Sequence, residues 1–237
     1  MADSVSPALD LYAKVEDLLG VKEAAPTLYA HYLLFLQTLE FETLLDVGCG
    51  SGDFLRQMQG ALEIPSATGI DLSPLMVSKT REQGFEAECM GVCEVEGSFD
   101  VITAVFDMLN YLDATQLKDF LACINSRLNA GGYFVCDTNT LYGFENVAVG
   151  AFIVDDEKRF LTIDSDFEAG DYFSTFTLFE QEGTCFSKSQ ESIRQTYHTP
   201  QELIALIGLE LIASEDVFLY GFEEADKTFF VFRKTQD

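Results

Sequence analysis

The sequence contains no tryptophan and is poor in proline, histidine and basic residues. Its 237 residues include 5 prolines, 2 histidines and 14 lysines or arginines, against 40 aspartates or glutamates. The formal net charge of -26 repels phosphate groups, which disfavours nucleic acid and an anionic membrane surface as partners. A neutral or cationic small molecule meets no such barrier. A surface whose charge serves only solubility is the alternative interpretation.

Further absences bear on localisation and metal binding. No apolar run reaches the roughly 18 residues of a membrane-spanning helix. The first ten residues, MADSVSPALD, lack the basic start and the apolar stretch of a signal peptide. None of the 6 cysteines forms a Cys-x-x-Cys pair, and Cys89 and Cys93 have no histidine nearby, so no metal site is predicted. Together these features predict a reduced cytoplasmic protein without a disulfide framework.

What the sequence does contain is a core-forming, alternating pattern. Hydrophobic residues make up 48% of the chain. Helical spacing predicts N-terminal helices over 8–19 and 26–40. Short apolar runs then alternate with helical segments, which predicts a parallel sheet with helices on both faces. The predicted strands are 43–47, 67–71, 85–90, 99–106 and 133–139, and the helix before the last of them is expected to begin near Ala114 and to stop at Gly131–Gly132.

The pattern changes after Tyr142. Residues 143–198 alternate polar and apolar side chains between turn signals, which predicts an antiparallel β insertion. One more helix and two more strands are predicted after the insertion. We therefore expect a single α/β domain formed by residues 1–142 and 199–237, interrupted by this insertion.

A glycine-rich stretch follows the first predicted strand. Residues 44–54 read LLDVGCGSGDF and place three glycines on alternate positions. Such a density costs backbone entropy and indicates that a bare backbone is needed there. At a strand-to-helix junction, backbone N–H groups and the helix dipole suit a pyrophosphate or a carboxylate. Asp71 ends the next predicted strand, where an acid binds ribose hydroxyls in both dinucleotide and adenosyl-methionine sites.

Two details separate these two ligands. The spacing is Gly-x-Gly-x-Gly, whereas dinucleotide sites have Gly-x-Gly-x-x-Gly. Asp46, two residues before Gly48, opposes a pyrophosphate but suits a ligand with an ammonium and a sulfonium. Charge therefore favours S-adenosylmethionine (SAM) over NAD. A tight turn without a ligand and an NAD-linked oxidoreductase are the alternatives at this point.

The glycine stretch resembles motif I of the class I SAM-dependent methyltransferases. Three further segments resemble later motifs of that family in the same order: GIDLSPLM (69–76), FDVITAVFDMLNYL (99–112) and LNAGGYFVCDTN (128–139). The insertion, with RQTYHTPQEL, is similar to that of small-molecule methyltransferases, in which a meander roofs the substrate pocket. The resemblance implies a Rossmann-like α/β fold with a seven-stranded, mostly parallel sheet and an antiparallel β insertion that acts as a substrate lid.

The resemblance also implies positions for the cofactor. Asp46, Gly48 and Gly50 are expected along the methionine moiety. Asp71 is expected at the ribose and Leu72 against the adenine. Three tyrosines of the N-terminal helices are expected to close the pocket as in relatives, with core packing as their alternative role: Tyr12, Tyr29 and Tyr32.

One position departs from the family pattern. Many relatives have an acid after the third strand for the adenine amino group, whereas this chain has Gly91 there. Backbone atoms of Gly91, Val92 or Cys93 are expected to replace it. Phe106 is expected beside the transferring methyl group. The full predicted set of cofactor-contacting residues is Tyr12, Asp46, Gly48, Cys49, Gly50, Asp71, Leu72, Met76, Gly91, Val92 and Phe106.

The expected reaction needs little from catalytic side chains. Transfer from a sulfonium is an in-line displacement, which is accelerated by alignment and by exclusion of water. A base assists if the acceptor has to lose a proton. The candidates are Asp107, Asn110 and Tyr111 after the fourth strand, and His198 where the insertion returns to the sheet. Turn, cap or loop roles are the alternatives for these residues.

These observations combine into one functional prediction. The chain is expected to be a cytoplasmic methyltransferase that converts SAM to S-adenosylhomocysteine (SAH). The predicted acceptor is a nitrogen or an oxygen of a small neutral or cationic molecule. The alternative is a non-catalytic sensor or partner-binding protein that binds SAM or SAH. We expect a monomer or a homodimer, without nucleic acid, membrane or metal as partners.

Overall fold

The computed structural model describes residues 6–236, which form two β-sheets and six α-helices. The first five residues of the segment used to predict the absence of a signal peptide lie outside this range. The helices are α1 (Ser6–Val15), α2 (Val21–Leu36), α3 (Asp53–Leu62), α4 (Pro74–Glu82), α5 (Ala114–Arg127) and α6 (Pro200–Ile207). The strands are β1 (Thr43–Val47), β2 (Ser66–Asp71), β3 (Glu86–Cys89), β4 (Phe99–Ala104), β5 (Leu128–Asn139), β6 (Gly150–Asp155), β7 (Arg159–Glu168), β8 (Asp171–Glu182), β9 (Cys185–Thr196), β10 (Glu210–Val217) and β11 (Lys227–Arg233).

The larger sheet has seven strands in the order β10-β11-β5-β4-β1-β2-β3. Its first five strands along the chain run parallel, and β11 pairs antiparallel with both β5 and β10. This confirms the predicted Rossmann-like, mostly parallel sheet. The strand order reverses between β1 and β4, and in open α/β sheets a ligand crevice opens at the carboxyl ends of the strands flanking such a point.

Helices cover both faces of this sheet because its central strands are apolar on both sides. On one face, α5 and α6 pack against β4, β5 and β11. On the other face, α2 and α3 do so. Strand β1 shows why the sequence folds this way, since Leu44, Leu45 and Val47 point alternately to the two faces and all three are buried. The sheet therefore holds the carboxyl end of β1 rigidly in place.

The smaller sheet is an antiparallel meander, β6-β7-β8-β9, within the predicted insertion. One of its faces is apolar and packs against α1, where Leu11 and Val15 contact Leu161, Phe176 and Leu178. The alternating pattern of this segment is what an antiparallel sheet with one covered face requires. Helix α1 thus joins the smaller sheet to the rest of the domain. None of the helices within residues 6–236 combines the length and the apolar character needed to cross a bilayer.

The predicted helix stop at Gly131–Gly132 is wrong. Helix α5 ends at Arg127, and both glycines lie within β5. A Cβ at Gly132 would lie 2.8 Å from the carbonyl oxygen of Asp100 in the neighbouring strand β4. Gly131 has a φ of 78°, which few other residues adopt. Gly132 therefore permits the close approach of β4 and β5, and Gly131 supplies the positive φ next to it.

The predicted reduced state is also wrong for one pair of cysteines. Cys93 lies in a one-turn helix after β3 (Val92–Glu94), and its sulfur is bonded to that of Cys123 in α5. This turn packs against α5 and brings the two Cα atoms to 5.1 Å, within the range a disulfide requires. The two cysteines are 30 residues apart in the sequence, so no local spacing pattern signals their pairing.

Candidate functional site

A cleft of about 690 Å³ lies at the carboxyl ends of β1, β2 and β4, where the strand order reverses. We call it the central cleft. All eleven residues predicted to contact the cofactor line it: Tyr12, Asp46, Gly48, Cys49, Gly50, Asp71, Leu72, Met76, Gly91, Val92 and Phe106. They come from α1 and from the segments after four different strands, so the fold alone brings them together.

The three glycines of the loop between β1 and α3 are needed for different structural reasons. All three have positive φ, at 75° for Gly48, 53° for Gly50 and 83° for Gly52. A Cβ at Gly48 would lie 2.7 Å from Cγ of Met108, and one at Gly52 would lie 3.1 Å from the Thr80 side chain. A Cβ at Gly50 would have no heavy atom of residues 6–236 within 4 Å. The loop is therefore packed from behind at Gly48 and Gly52, and it faces open space at Gly50.

Asp71 anchors this loop from the neighbouring strand. One of its carboxylate oxygens accepts a hydrogen bond of 3.0 Å from the Gly50 N–H, and the other accepts one of 2.8 Å from the Ser73 N–H. Each oxygen retains a free lone pair, and the residue is only partly buried. Burial raises the pKa of Asp71, and the backbone hydrogen bonds oppose that rise. Leu72, next to it, is 45% exposed at the rim of the central cleft.

Asp46 is a buried acid without a cationic partner. Its side chain accepts a hydrogen bond of 2.7 Å from the Thr103 hydroxyl and is only 2% exposed. In the part of the chain that the structure describes, it forms no ion pair. Burial raises its pKa from 3.8 to about 7, and the charge of Asp71 adds to the rise. A buried carboxylate of this kind suits a ligand that brings a positive charge.

Helix α1 covers the central cleft. Leu9, Tyr12 and Glu16 from α1 and the turn after it line the cleft. The helix is fastened to α4, because the Ser73 hydroxyl donates to Asp10 and the Lys79 ammonium donates to the carbonyl oxygen of Ala13. Within the described residues, none of 143–198 lines the central cleft. The insertion therefore reaches this cleft through α1, and its role as a lid remains a prediction.

The other two tyrosines predicted to close the pocket differ in position. Tyr29 of α2 lines the central cleft and contacts the Phe106 ring edge-on, with the centroids 5.8 Å apart. Tyr32 is fully buried, and its hydroxyl donates to Asp137 at 2.7 Å. Tyr32 is therefore a core residue, the alternative role for these tyrosines.

The turn after β4 has an unusual backbone. Phe106 and Asp107 have φ values of 58° and 51°, in the left-handed region that bulky residues rarely adopt. The buried carboxylate of Asp137 holds both of their N–H groups, each at 2.8 Å. Strain of this kind, of about 1–3 kcal/mol per residue, persists only where the surroundings fix it. Asp137 thereby fixes the Phe106 ring at the edge of the central cleft.

Asp107 belongs to a buried ionic cluster. Lys227 is 2% exposed, and its ammonium forms an ion pair with Asp107, donates to Asn139 Oδ1 at 2.8 Å and lies 3.4 Å from Asp137 Oδ2. Burial lowers the pKa of Lys227, but the charges of Asp107 and Asp137 outweigh burial and raise it overall. Gln195 Nε2 donates to the second oxygen of Asp107 at 2.6 Å. Both oxygens of Asp107 are therefore engaged.

Sequence reasoning did not find Lys227 or Gln195. They are 120 and 88 residues away from Asp107 along the chain, at the start of β11 and near the end of β9. Neither lies in a recognisable motif. A lysine at the start of a predicted buried strand was the one weak signal, because a buried ammonium needs acidic partners.

The structure places only some of the remaining catalytic candidates at the central cleft. Tyr111 lines the central cleft, whereas Asn110 and His198 do not. Asn110 bridges two backbone groups, since its Nδ2 donates to the Thr196 carbonyl at 2.8 Å and its Oδ1 accepts from the Asn139 N–H at 2.9 Å. Nε2 of His198 lies 2.8 Å from the Leu112 carbonyl oxygen in a buried position. These contacts tie the insertion to the turn after β4, and they join distant segments rather than serving the local turn or cap roles given as alternatives.

Four tyrosines lie within the electrostatic influence of Asp107. Burial raises the pKa of Tyr12, Tyr111, Tyr172 and Tyr220, and in each case the charge of Asp107 contributes to the rise. They come from α1, the turn after β4, β8 and the loop before β11. All four phenols are therefore neutral near pH 7. The Tyr172 hydroxyl is hydrogen-bonded to the Ala148 carbonyl oxygen at 3.1 Å and to Ser165 Oγ at 2.9 Å, whereas Tyr12 and Tyr111 line the central cleft. The hydroxyls and rings of Tyr12 and Tyr111 are therefore the ones placed to contact a ligand.

Comparisons with known proteins agree with this arrangement. A sequence model of the family described as a methyltransferase domain matches residues 21–188, which is more than half of the chain. No curated protein sequence matches the chain significantly. Among solved structures, an S-adenosylmethionine-dependent methyltransferase from Clostridium acetobutylicum is similar over 95% of this chain and 99% of that one, with 20% identity and a TM-score of 0.78.

Two further structures resemble the chain over most of its length. The sugar N-methyltransferase KedS8 from a Streptoalloteichus species has 18% identity over 95% of this chain and 92% of its own, with a TM-score of 0.72. The amino pentose methyltransferase CalS10 from Micromonospora echinaspora, with SAM bound, has 22% identity over 90% and 91%, with a TM-score of 0.67. At these identities the likeness concerns the fold.

Proposed function

The chain belongs to the class I SAM-dependent methyltransferase family, and from this premise we propose that it transfers the methyl group of SAM to an amine nitrogen of a small molecule. The observation that carries the proposal is the pair of acids at the carboxyl ends of β1 and β2, Asp46 and Asp71, on either side of the open loop at Gly50. A carboxylate without a cation at one point and a carboxylate with free lone pairs at the other suit a ligand that carries an ammonium and a ribose.

The residues of the central cleft offer the charges and the open space that SAM requires. Asp46 would face the ammonium of the methionine moiety, and Asp71 would accept hydrogen bonds from the ribose hydroxyls. The open space at Gly50 would hold part of the ligand. Leu72, Gly91 and Val92 would border the adenine. When bound, SAM supplies a methyl group on a sulfonium, which is electrophilic without assistance from a metal.

The surroundings of Asp107 support an amine acceptor. Asp107 and Asp137 bring two negative charges against the single charge of Lys227, so the cluster attracts a cation. The hydroxyls of Tyr12 and Tyr111, which line the central cleft, are suited to polar substituents such as those of an amino sugar. Two of the similar structures are named as methyltransferases acting on a sugar nitrogen or an amino pentose, which is in keeping with this choice.

The chain's own groups act in this reaction by positioning and exclusion. Tyr12 and Tyr111 stay protonated because burial raises their pKa, so they orient the acceptor rather than remove its proton. Both oxygens of Asp107 accept hydrogen bonds from Lys227 and Gln195, so Asp107 is not a free base. An amine that has given its proton to water before the transfer needs no base in the transfer step itself. Helix α1 covers the central cleft and so excludes water from it.

The first experiment combines cofactor binding with an acceptor screen. We expect SAM and SAH to bind saturably in calorimetric titrations, and NAD not to bind. With SAM present, primary and secondary amines of amino sugars are expected to yield SAH and a methylated product, detected by mass spectrometry. The matching sugars with a hydroxyl in place of the amine are the control. Equal turnover of both series would contradict the nitrogen assignment, and binding of NAD would contradict the cofactor assignment.

Cofactor affinity is expected to depend on pH through Asp46. The ammonium of SAM is attracted only by the ionised carboxylate, whose pKa is about 7 in the free protein. Affinity should therefore rise between pH 5.5 and 7.5, by up to about tenfold per pH unit below pH 7. In Asp46→Asn the affinity should be lower and nearly independent of pH over this range. A wild-type affinity that does not change with pH would contradict this role.

Stability without the cofactor should respond in the opposite sense. Because the pKa of Asp46 is raised from 3.8 to about 7 on folding, its contribution to stability is fully present below pH 3.8 and is lost as the pH rises through 7. SAM removes this loss by pairing with the carboxylate. The increase in Tm caused by saturating SAM is thus expected to be larger at pH 7.5 than at pH 5.5, and Asp46→Asn is the control in which this difference disappears.

A further inference from the structure

The disulfide between Cys93 and Cys123 lies at one end of the central cleft. Cys93 itself lines the cleft, as do Gly91 and Val92 directly before it. These are the residues that border the adenine in the proposed function. The bond therefore begins in the wall of the cofactor site.

The other end of the disulfide is attached to a second wall of the same cleft. Gln116, Asp119 and Phe120 of α5 line the central cleft. Phe120 and Asp119 come three and four residues before Cys123, which places them one helical turn away on the same side of α5. The disulfide thus ties two walls of the adenine end to each other, across 30 residues of chain.

Few other polar contacts connect these walls. The carboxylate of Glu94 is bonded within the turn itself, to the Gly91 N–H at 2.9 Å. Arg127 Nη2 donates to the Cys93 carbonyl at 3.4 Å, which is a long hydrogen bond. Strand β3, which carries the turn, is four residues long and lies at the edge of the sheet. Val92 and Val95 add apolar packing against α5, and the disulfide is the covalent link between the two walls.

We propose that the Cys93–Cys123 disulfide is a reversible redox site that controls the affinity for the adenosyl cofactor. This inference rests on the proposed function. Cys93 is exposed, so a dithiol reductant has access to its sulfur. In the reaction the dithiol gives up two electrons and two protons and becomes a disulfide, while the Cys93–Cys123 bond breaks and yields two thiols. Opening the bond separates the turn from α5 and loosens both walls at the adenine end.

The test is a calorimetric titration of SAH into the full chain, oxidised and after treatment with dithiothreitol. We expect the reduced protein to bind SAH at least about fivefold more weakly, as for a typical coupling between two sites. Cys123→Ser should bind like the reduced protein and should not respond to dithiothreitol. The matched control is Cys185→Ser, because Cys185 is also exposed but is a free thiol in the smaller sheet. This variant should keep the full difference between the two states.

A reciprocal measurement separates control of the cofactor from mere structural support. By linkage, SAH has to disfavour reduction by the same factor by which reduction weakens SAH. The dithiothreitol concentration that exposes half of the Cys93 and Cys123 thiols should therefore rise with SAH. A disulfide that only stabilises the fold would change Tm without this shift.

The outcomes are distinct. Equal SAH affinity in both states overturns the redox site and leaves the cofactor assignment intact. No SAH binding in either state overturns the proposed function and, with it, this inference. Six free thiols in the air-oxidised protein overturn the redox site directly.

Discussion

Replacing Asp71 with alanine is expected to lower the affinity for SAM and SAH about 100-fold, because each hydrogen bond from a ribose hydroxyl to this carboxylate contributes about 1.5 kcal/mol or more. The variant loses the acceptor side chain at the carboxyl end of β2, next to the open face of the loop at Gly50. Calorimetric titration with SAH, which is chemically inert, measures the effect without turnover.

The loss has to be separated from damage to the loop, since Asp71 also holds the Gly50 and Ser73 N–H groups. Asp100 is a matched control, because its carboxylate likewise accepts hydrogen bonds from two backbone N–H groups, those of Glu42 and Thr43. It lies at the amino ends of the strands, opposite the central cleft. Asp100→Ala should reduce Tm but leave SAH affinity unchanged. An SAH analogue without the ribose hydroxyls adds a second control, since its weak binding should not respond to Asp71→Ala. Equal losses for SAH and this analogue would show that Asp71 acts only on the loop.

Replacing Lys227 with methionine is expected to destabilise the fold by about 3–5 kcal/mol, the usual cost of leaving buried charges without their partner. Asp107 and Asp137 would lose the ammonium between them, and Asp137 is fully buried. For a chain of this size, we expect Tm to fall by roughly 10 °C at pH 8. The loss should shrink as the pH falls, because the pKa of Asp137 is already raised by burial and its protonation relieves the unpaired charge. Thermal unfolding between pH 5 and 8 measures this dependence.

Two further variants test whether the loss of stability comes from the unpaired charges. Lys227→Met combined with Asp107→Asn removes one of the unpaired charges and should regain part of the lost stability. Lys234→Met is the matched control, because within residues 6–236 the Lys234 ammonium donates only to the carbonyl oxygens of Asn125 and Leu128. Its loss should stay below about 2 kcal/mol. If Lys227→Met is no more destabilising than Lys234→Met, then Asp107 and Asp137 do not depend on Lys227 to compensate their charges.

The architecture was predictable because it is encoded locally. The alternation of short apolar runs with helical segments predicted the parallel sheet, and the period of two after Tyr142 predicted the antiparallel one. The glycine stretch predicted the turn between β1 and α3, since only glycine adopts positive φ without strain. Where a local signal had two meanings, prediction failed. Gly131 and Gly132 are as typical of a helix end as of a close strand approach, and only the neighbouring strand β4 decides between them.

The sequence by itself determined the class of fold and eleven of the residues that line the central cleft, because strand ends and turn chemistry are properties of short segments. Only the tertiary structure decided which distant side chains meet. Lys227 and Asp107, Cys93 and Cys123, and α1 between the insertion and the cleft are pairings of remote segments. Hydrophobic periodicity states which face of an element is buried but not against what, so the partners of a buried charge or thiol are fixed only when the elements pack.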